Sequence, residues 1–306
     1  MWKIVIILLM IAVVIYGFSY FVFYVTFHRP KHSAKELKKY SDAPRYRMAG
    51  EGIKIMDALP KEECFLISRD GLKLHAQLFP AREESNKYLI GIHGYHSYPG
   101  LEFGPFFEFY RSLGYHILLP DDRAHAPSEG KYIGFGVLDR LDCLDWTKYL
   151  VDRYGKDIRI MLHGISMGSA TVLSVSGEKE LPSQVEGIVA DCGYTSAWEI
   201  LSYQLKYKYH VPVKPFLSLA ERICERKAGF HFHEYTPVSQ VKKANVPILF
   251  IHGKKDRMVP TSMVHELYEA CASRKRLLLV DEAAHAECVV YDQEGYYQAV
   301  REFFEI

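Results

Sequence analysis

Hydrophobic and polar positions divide the chain into three stretches: an unbroken apolar run at the amino terminus, a polar segment, and a long region of short apolar runs separated by amphipathic ones. Residues 4–27 contain no charged side chain. A helix of that length, rising about 1.5 Å per residue, would reach roughly 36 Å, enough to cross a hydrocarbon core of about 30 Å. The apolar region of a cleaved signal peptide is about 7 to 15 residues long and ends in small residues. This run is longer and ends in the bulky Tyr20-Phe21-Val22-Phe23-Tyr24-Val25. It reads as an uncleaved signal anchor over residues 1–28, a single-pass membrane helix with Tyr20 and Tyr24 at one interface. Residues 29–61 read as a polar juxtamembrane linker.

From residue 62 to 306 the pattern is that of one large α/β domain. Cys64-Phe65-Leu66-Ile67-Ser68 and Leu72-Lys73-Leu74-His75-Ala76 flank the turn pair Asp70-Gly71, which predicts a β-hairpin. Strand-like runs follow near residues 88, 116, 158, 186, 247 and 276 and alternate with helical stretches. Together with the hairpin they predict a mostly parallel eight-stranded sheet covered by helices on both faces. Val137, Leu141, Leu144 and Val151 form one helical stripe, with Asp139, Asp142 and Asp145 largely off that face, and Tyr297, Val300 and Phe304 form another. The interval from Asp191 to Pro247 is far longer than the dozen or so residues a simple crossover needs. It is rich in large apolar side chains such as Trp198, Leu201, Tyr203, Tyr209 and Phe216. Residues 194–235 are therefore read as a small helical cap whose aromatic underside lines a pocket and excludes water.

Composition adds limits. A net charge of +1 with 25% charged residues offers no basic surface for nucleic acid. The scattered cysteines Cys64, Cys143, Cys192, Cys224, Cys271 and Cys288 have no spacing that requires disulfides, which leans towards a reducing compartment. Lys3 precedes the apolar run while Arg29, Lys31, Lys35, Lys38 and Lys39 follow it, so the positive-inside rule leans towards a cytoplasmic α/β domain. His231-Phe232-His233-Glu234 lacks metal-ligand spacing, and neither a metal nor a cofactor is expected.

The candidate chemistry centres on His163-Gly164-Ile165-Ser166-Met167-Gly168, a Gly-x-Ser-x-Gly motif directly after the apolar run Ile158-Arg159-Ile160-Met161-Leu162. A serine on a sharp strand-to-helix turn is lifted towards a base, and the helix behind it points backbone N–H groups at the reacting centre. At ordinary glycine frequency such a motif arises by chance in roughly one chain in ten of this length. What sharpens it is an acid and a histidine in the order Ser, Asp, His. Asp256 follows the run Ile248-Leu249-Phe250-Ile251, and His285 follows Leu277-Leu278-Leu279-Val280. Asp191, at the end of the run from Val185, is the rival acid. His93 and His125 are read as structural loop residues or pocket liners.

On these motifs residues 62–306 resemble the α/β-hydrolase superfamily, and within it membrane-anchored bacterial hydrolases with a serine aminopeptidase-like domain. Ile90-Gly91-Ile92-His93-Gly94-Tyr95 matches the family's strand ending in His-Gly, which implies an oxyanion hole made by the backbone N–H groups of Tyr95 and Met167. Asp121-Asp122-Arg123-Ala124-His125-Ala126-Pro127-Ser128 matches a further family segment but carries Ala124 and Ala126 where glycines are usual. A left-handed backbone would cost about 1 to 2 kcal/mol at each alanine, so a different turn is expected there. The resemblance is also compatible with an outward-facing domain, and the side of the membrane is left open.

The resulting expectation is a serine hydrolase with Ser166 as nucleophile, His285 as base and Asp256 as its orienting acid. A carboxylesterase acting through an acyl-enzyme on a small or medium acyl ester fits best. The alternatives are an aminopeptidase-like serine peptidase, for which Glu199, Glu221 or Glu225 would supply an amine-binding carboxylate, a lipid-directed hydrolase, and a non-catalytic scaffold of the same fold.

Overall fold

The computed structural model describes residues 1–29, 43–125 and 127–306, so Lys31, Lys35, Lys38, Lys39 and Ala126 of the readings above lie outside the described residues. The helices and strands are α1 (Trp2–Phe27), α2 (Pro44–Ala58), β1 (Glu62–Ile67), β2 (Lys73–Phe79), β3 (Lys87–Ile92), α3 (Pro99–Ser112), β4 (Tyr115–Pro120), α4 (Asp139–Tyr154), β5 (Arg159–Ile165) and α5 (Met167–Val175). They continue with β6 (Val185–Asp191), α6 (Ala197–Tyr203), a π-helical turn (Gln204–Lys208), α7 (Phe216–Ala228), α8 (Pro237–Val241), β7 (Ile248–Gly253), α9 (Thr261–Ala270), β8 (Lys275–Val280), α10 (Cys288–Tyr291) and α11 (Gln293–Phe304).

The strands form one eight-stranded sheet in the order β1-β2-β4-β3-β5-β6-β7-β8. The β1–β2 hairpin pairs antiparallel, with Cys64 opposite Ala76, and β2 pairs antiparallel with β4; every remaining pair is parallel. This is the architecture expected from the alternating runs. Successive residues of the central strands point to opposite faces. Leu89, Met161, Val189 and Leu249 accordingly pack with α3 and α11, whereas Ile90, Leu162, Ile188 and Phe250 pack with residues of α4, α5 and α9. Both faces are covered, which is why these strands read as near-continuous apolar runs.

The α4 stripe differs from its sequence reading. Leu144 is buried and Leu141 is not fully so, but Asp139 and Asp142 are buried as well. Asp142 Oδ2 accepts a hydrogen bond from Arg123 Nε at 2.6 Å, and Asp139 Oδ2 accepts one from the Gly136 N–H at 2.7 Å. Periodicity places charge outward by default, whereas here the acids face inward because an arginine and a backbone donor are buried with them. Ala124 adopts φ +61° and is fully buried, so at this position the chain keeps the left-handed turn instead of replacing it.

The amino-terminal segments pack more closely than a tether and a linker require. Within the span read as a linker, α2 packs along α3, and Arg45 Nη2 pairs with the buried Glu102 at 2.6 Å. Helix α1 is exposed from Trp2 to Val14, while Ser19, Val22, Phe23 and Phe27 are buried. Phe27 is fully enclosed, 5.0 Å from the ring of Phe135 and 5.1 Å from that of Phe232. The chain leaving α1 is then tied down by the Ile133 N–H on the Phe27 carbonyl at 2.8 Å and the Arg29 N–H on the Lys131 carbonyl at 2.9 Å. Truncating a fully buried phenylalanine costs about 3 to 5 kcal/mol. Phe27→Ala is expected to lower the unfolding free energy of the full chain in detergent by that amount in a denaturant titration. A loss below about 1 kcal/mol would show that α1 only tethers the domain.

Candidate active site

Strand β5 delivers its carboxyl end to Ser166, which caps α5 with φ +57° and ψ −113°. This is a sparsely populated backbone region for a residue with a side chain, and it turns the hydroxyl away from both strand and helix. The flanking glycines are needed for space. A Cβ at Gly164 would overlap the Gly168 carbonyl, and one at Gly168 would overlap the Ile92 carbonyl. The turn is pinned from the neighbouring strand, where the Asp191 carbonyl accepts the Ser166 N–H at 2.9 Å.

Asp256 lies just past the end of β7 and His285 just past the end of β8, so adjacent parallel strands bring both to the edge where Ser166 stands. His285 Nε2 is 2.8 Å from Ser166 Oγ, and His285 Nδ1 is 2.7 Å from Asp256 Oδ2. With Nδ1 facing a carboxylate, the ring proton belongs on that nitrogen, leaving Nε2 to accept from the serine hydroxyl. The other carboxylate oxygen of Asp256 accepts the N–H groups of Met258 at 2.8 Å and Val259 at 2.9 Å. Burial alone would raise the Asp256 pKa, but hydrogen bonds from His252 and His285 outweigh it and hold the carboxyl well below its usual range. The arrangement can therefore keep an anion behind an imidazole that faces a hydroxyl.

The rival acid is placed elsewhere. Asp191 is buried beneath the elbow, where its Oδ2 accepts a hydrogen bond from Tyr296 Oη at 3.2 Å. Tyr296 Oη is also 3.0 Å from Nε2 of the fully buried His163, whose Nδ1 lies 3.1 Å from Tyr110 Oη. Burial pushes the Asp191 carboxyl up to about 6 and the His163 imidazole down to about 3. Cys192 lies close to Asp256 and His285, with ligand atoms within 4.8 Å of one another, but it is fully buried and burial pushes its thiol pKa well up. His93 and His125 brace the neighbouring loop. His93 Nε2 accepts the Asp122 N–H at 3.0 Å, and the two rings meet edge to face at 4.8 Å.

A cavity of about 160 Å³ opens beside the serine, lined by Ser166, Met167, Tyr95 and His285 together with Phe135, Tyr194, Ile200, Leu201, Met258 and Val259. Gly94 lies against Ser166, and its neighbour Tyr95 lines the cavity together with Met167 at the head of α5. Glu199, Glu221 and Glu225 are absent from the lining; Glu221 instead accepts the Phe232 N–H at 3.0 Å, and Glu225 faces His231 at 3.4 Å. Ile200 and Leu201 of the expected cap do reach the pocket. Thr26 of α1 also lines it, a contact that the sequence hid inside an apolar run.

Residues 185–286 match the family model described as Serine hydrolase (FSH1). The chain is 28% identical over 200 residues to the Bacillus subtilis protein YqkD, an alignment covering 65% of each, so it spans just under two thirds of that relative. It is 24% identical to the Saccharomyces cerevisiae membrane protein YNL320W over 80% of each chain. Among solved structures the Pyrococcus furiosus esterase Pf2001 superposes with a TM-score of 0.66 at 24% identity, covering 81% of this chain and 91% of that one.

The buried acid beneath the elbow carries a pH signature. A folded-state pKa raised from about 3.8 to about 6 means that the native state holds the Asp191 proton more tightly than the unfolded chain does. Stability therefore falls as pH rises between those values. Asp191→Asn is expected to remove that fall and to stabilise the protein at pH 8 by up to about 3 kcal/mol, with little gain near pH 4. Equal gains at both pH values in chemical denaturation would contradict the assignment.

Proposed function

We propose, from the premise that the chain belongs to the α/β-hydrolase superfamily and is a serine hydrolase, that it is a carboxylesterase working through an acyl-enzyme. Ser166 Oγ attacks the ester carbonyl while His285 Nε2 takes its proton, and the ionised Asp256 stabilises the imidazolium. The backbone N–H groups of Tyr95 and Met167 receive the developing oxyanion, aided by the amino-terminal end of α5. His285 then returns the proton to the leaving alcohol and activates the water that releases the acid. The observation that carries this reading is the Ser166–His285–Asp256 hydrogen-bonded chain at 2.8 and 2.7 Å. Ser166→Ala is expected to lower aryl-ester hydrolysis on the order of 10⁴-fold or more and to abolish labelling by a fluorophosphonate probe. Retained hydrolysis would refute the assignment.

The pocket favours an ester over an aminopeptidase substrate. Among the described residues no Asp or Glu lines it, and Lys208 stands at its rim, of the same sign as a substrate ammonium. An ammonium held there without a partner loses several kcal/mol of solvation. An aryl 4-methylpentanoate is therefore expected to be hydrolysed about 100-fold faster, in kcat/KM, than the matched leucine aryl ester. The reverse preference would support a peptidase.

We place the membrane anchor at residues 1–28, where α1 is long and apolar enough to cross a bilayer. The hydrolase domain is assigned to residues 62–306, with a cap at about 194–235.

A further inference from the structure

The pocket beside Ser166 is completed by the amino-terminal helix. Thr26, in the last turn of α1, lines it, and the Thr26 carbonyl accepts a hydrogen bond from Tyr95 Oη at 2.9 Å. Tyr95 follows Gly94, which packs directly on Ser166, so α1 is bonded to the loop beside the nucleophile.

The same helix has an axial constraint. At about 1.5 Å per residue a hydrocarbon core of about 30 Å takes up roughly 20 residues, which from Trp2 run to about Phe21. Yet α1 is free of the domain only as far as Val14, and packing begins at Ile15. Span and docked segment overlap by about seven residues, or roughly 10 Å. A free span short by that much is met by local thinning of the bilayer, which brings the domain surface around residues 15–21 into the headgroup region.

The chemistry of that surface suits the position. The Phe216 ring meets Phe18 edge to face at 4.8 Å, Lys227 Nζ lies 5.7 Å from the Tyr20 ring centre, and Arg222 and Arg226 line a cleft with Tyr16. Aromatic and basic side chains are the ones that settle among headgroups. With the hydrocarbon edge between Val14 and Phe21, the pocket wall at Thr26 stands roughly 8 to 18 Å from it along the helix. The cavity itself is apolar and of about 160 Å³, close to the roughly 150 Å³ apolar cavity that takes up benzene. It encloses about six carbons, and a longer chain must leave through the rim at the exposed Lys208, Tyr209 and Met258.

We propose that α1 is a working wall of the acyl pocket, and that the pocket takes the acyl group of an amphiphilic ester resident in the bilayer interface, a claim that rests on the esterase reading. Thr26 then contributes to acyl-chain selection, and anchor and active site are one unit.

The test uses the full chain in phosphatidylcholine–phosphatidylglycerol vesicles with umbelliferyl butyrate and umbelliferyl dodecanoate. The wild type is expected to turn over the vesicle-partitioned dodecanoate faster than the butyrate. Thr26→Trp is expected to cut the dodecanoate-to-butyrate ratio by about 10-fold or more, the scale on which a pocket discriminates a few methylenes. Thr26→Ala should raise that ratio, and this second variant decides the matter if the tryptophan does not fold. Val13→Trp, on the free part of α1, should leave the ratio as in the wild type. A ratio unmoved by either Thr26 substitution, or a wild-type preference for the butyrate, would overturn the proposal. Absence of fluorophosphonate labelling at Ser166 in the wild type would instead sink the serine-hydrolase reading on which it rests.

Discussion

Ser166 is held at φ +57° and ψ −113°, and the rest of the site depends on the crowding that enforces this turn. Strand β3, strand β5 and helix α5 approach so closely there that Gly164 and Gly168 have no room for a Cβ. Strain of the order of 1 to 3 kcal/mol is tolerable only where the surroundings over-determine the conformation. Here they do so through the parallel pairing of β5 with β3 and β6, the hydrogen bond from Ser166 to the Asp191 carbonyl, and the apolar packing on both faces of the sheet. Once the elbow is fixed, the order of the strands does the remainder. β7 and β8 end on the same edge, and short turns bring Asp256 and His285 within hydrogen-bond reach.

Beneath the elbow lies a polar layer that the chemistry does not touch. Asp191, His163, Tyr110 and Tyr296 are buried together, with Tyr296 bridging the acid and the imidazole. The imidazole stays neutral and burial raises the acid to about 6, so only below that pH does the layer add hydrogen bonds under Ser166 with little charge. Asp256 is the opposite case. Backbone donors and neighbouring histidines hold it ionised. Two carboxylates at adjacent strand ends are thereby driven apart in pKa, which separates a structural acid from one able to support an imidazolium.

Much of this was legible in the sequence because it is written locally. The hairpin at Asp70-Gly71, the apolar runs of the parallel strands and the glycines around Ser166 each answer to a short-range rule. The order Ser166, Asp256, His285 could be read from the strand ends without coordinates. What escaped was decided by tertiary partners. Asp139 and Asp142 face inward because Arg123 and the Gly136 N–H meet them there. Ala124 holds a left-handed turn although a sequence rule places glycine at such a position. Residues 15–27 read as lipid-facing because an apolar run carries no mark that separates lipid from protein as its neighbour. The spacing of Ser19, Val22, Phe23, Thr26 and Phe27 on one helical face, with two hydroxyl side chains among them, was the available sign.

The central claim is that Ser166 carries the acyl group between two half-reactions. Rapid acid quenching of the full-length protein with a slowly hydrolysed aryl ester, followed by peptide mass spectrometry, tests it most directly. The account predicts a mass gain equal to the acyl group on the peptide containing Ser166, formed in step with release of the first equivalent of the phenol. Ester turnover with no acylated peptide, or with the acyl group on a different residue, would contradict it.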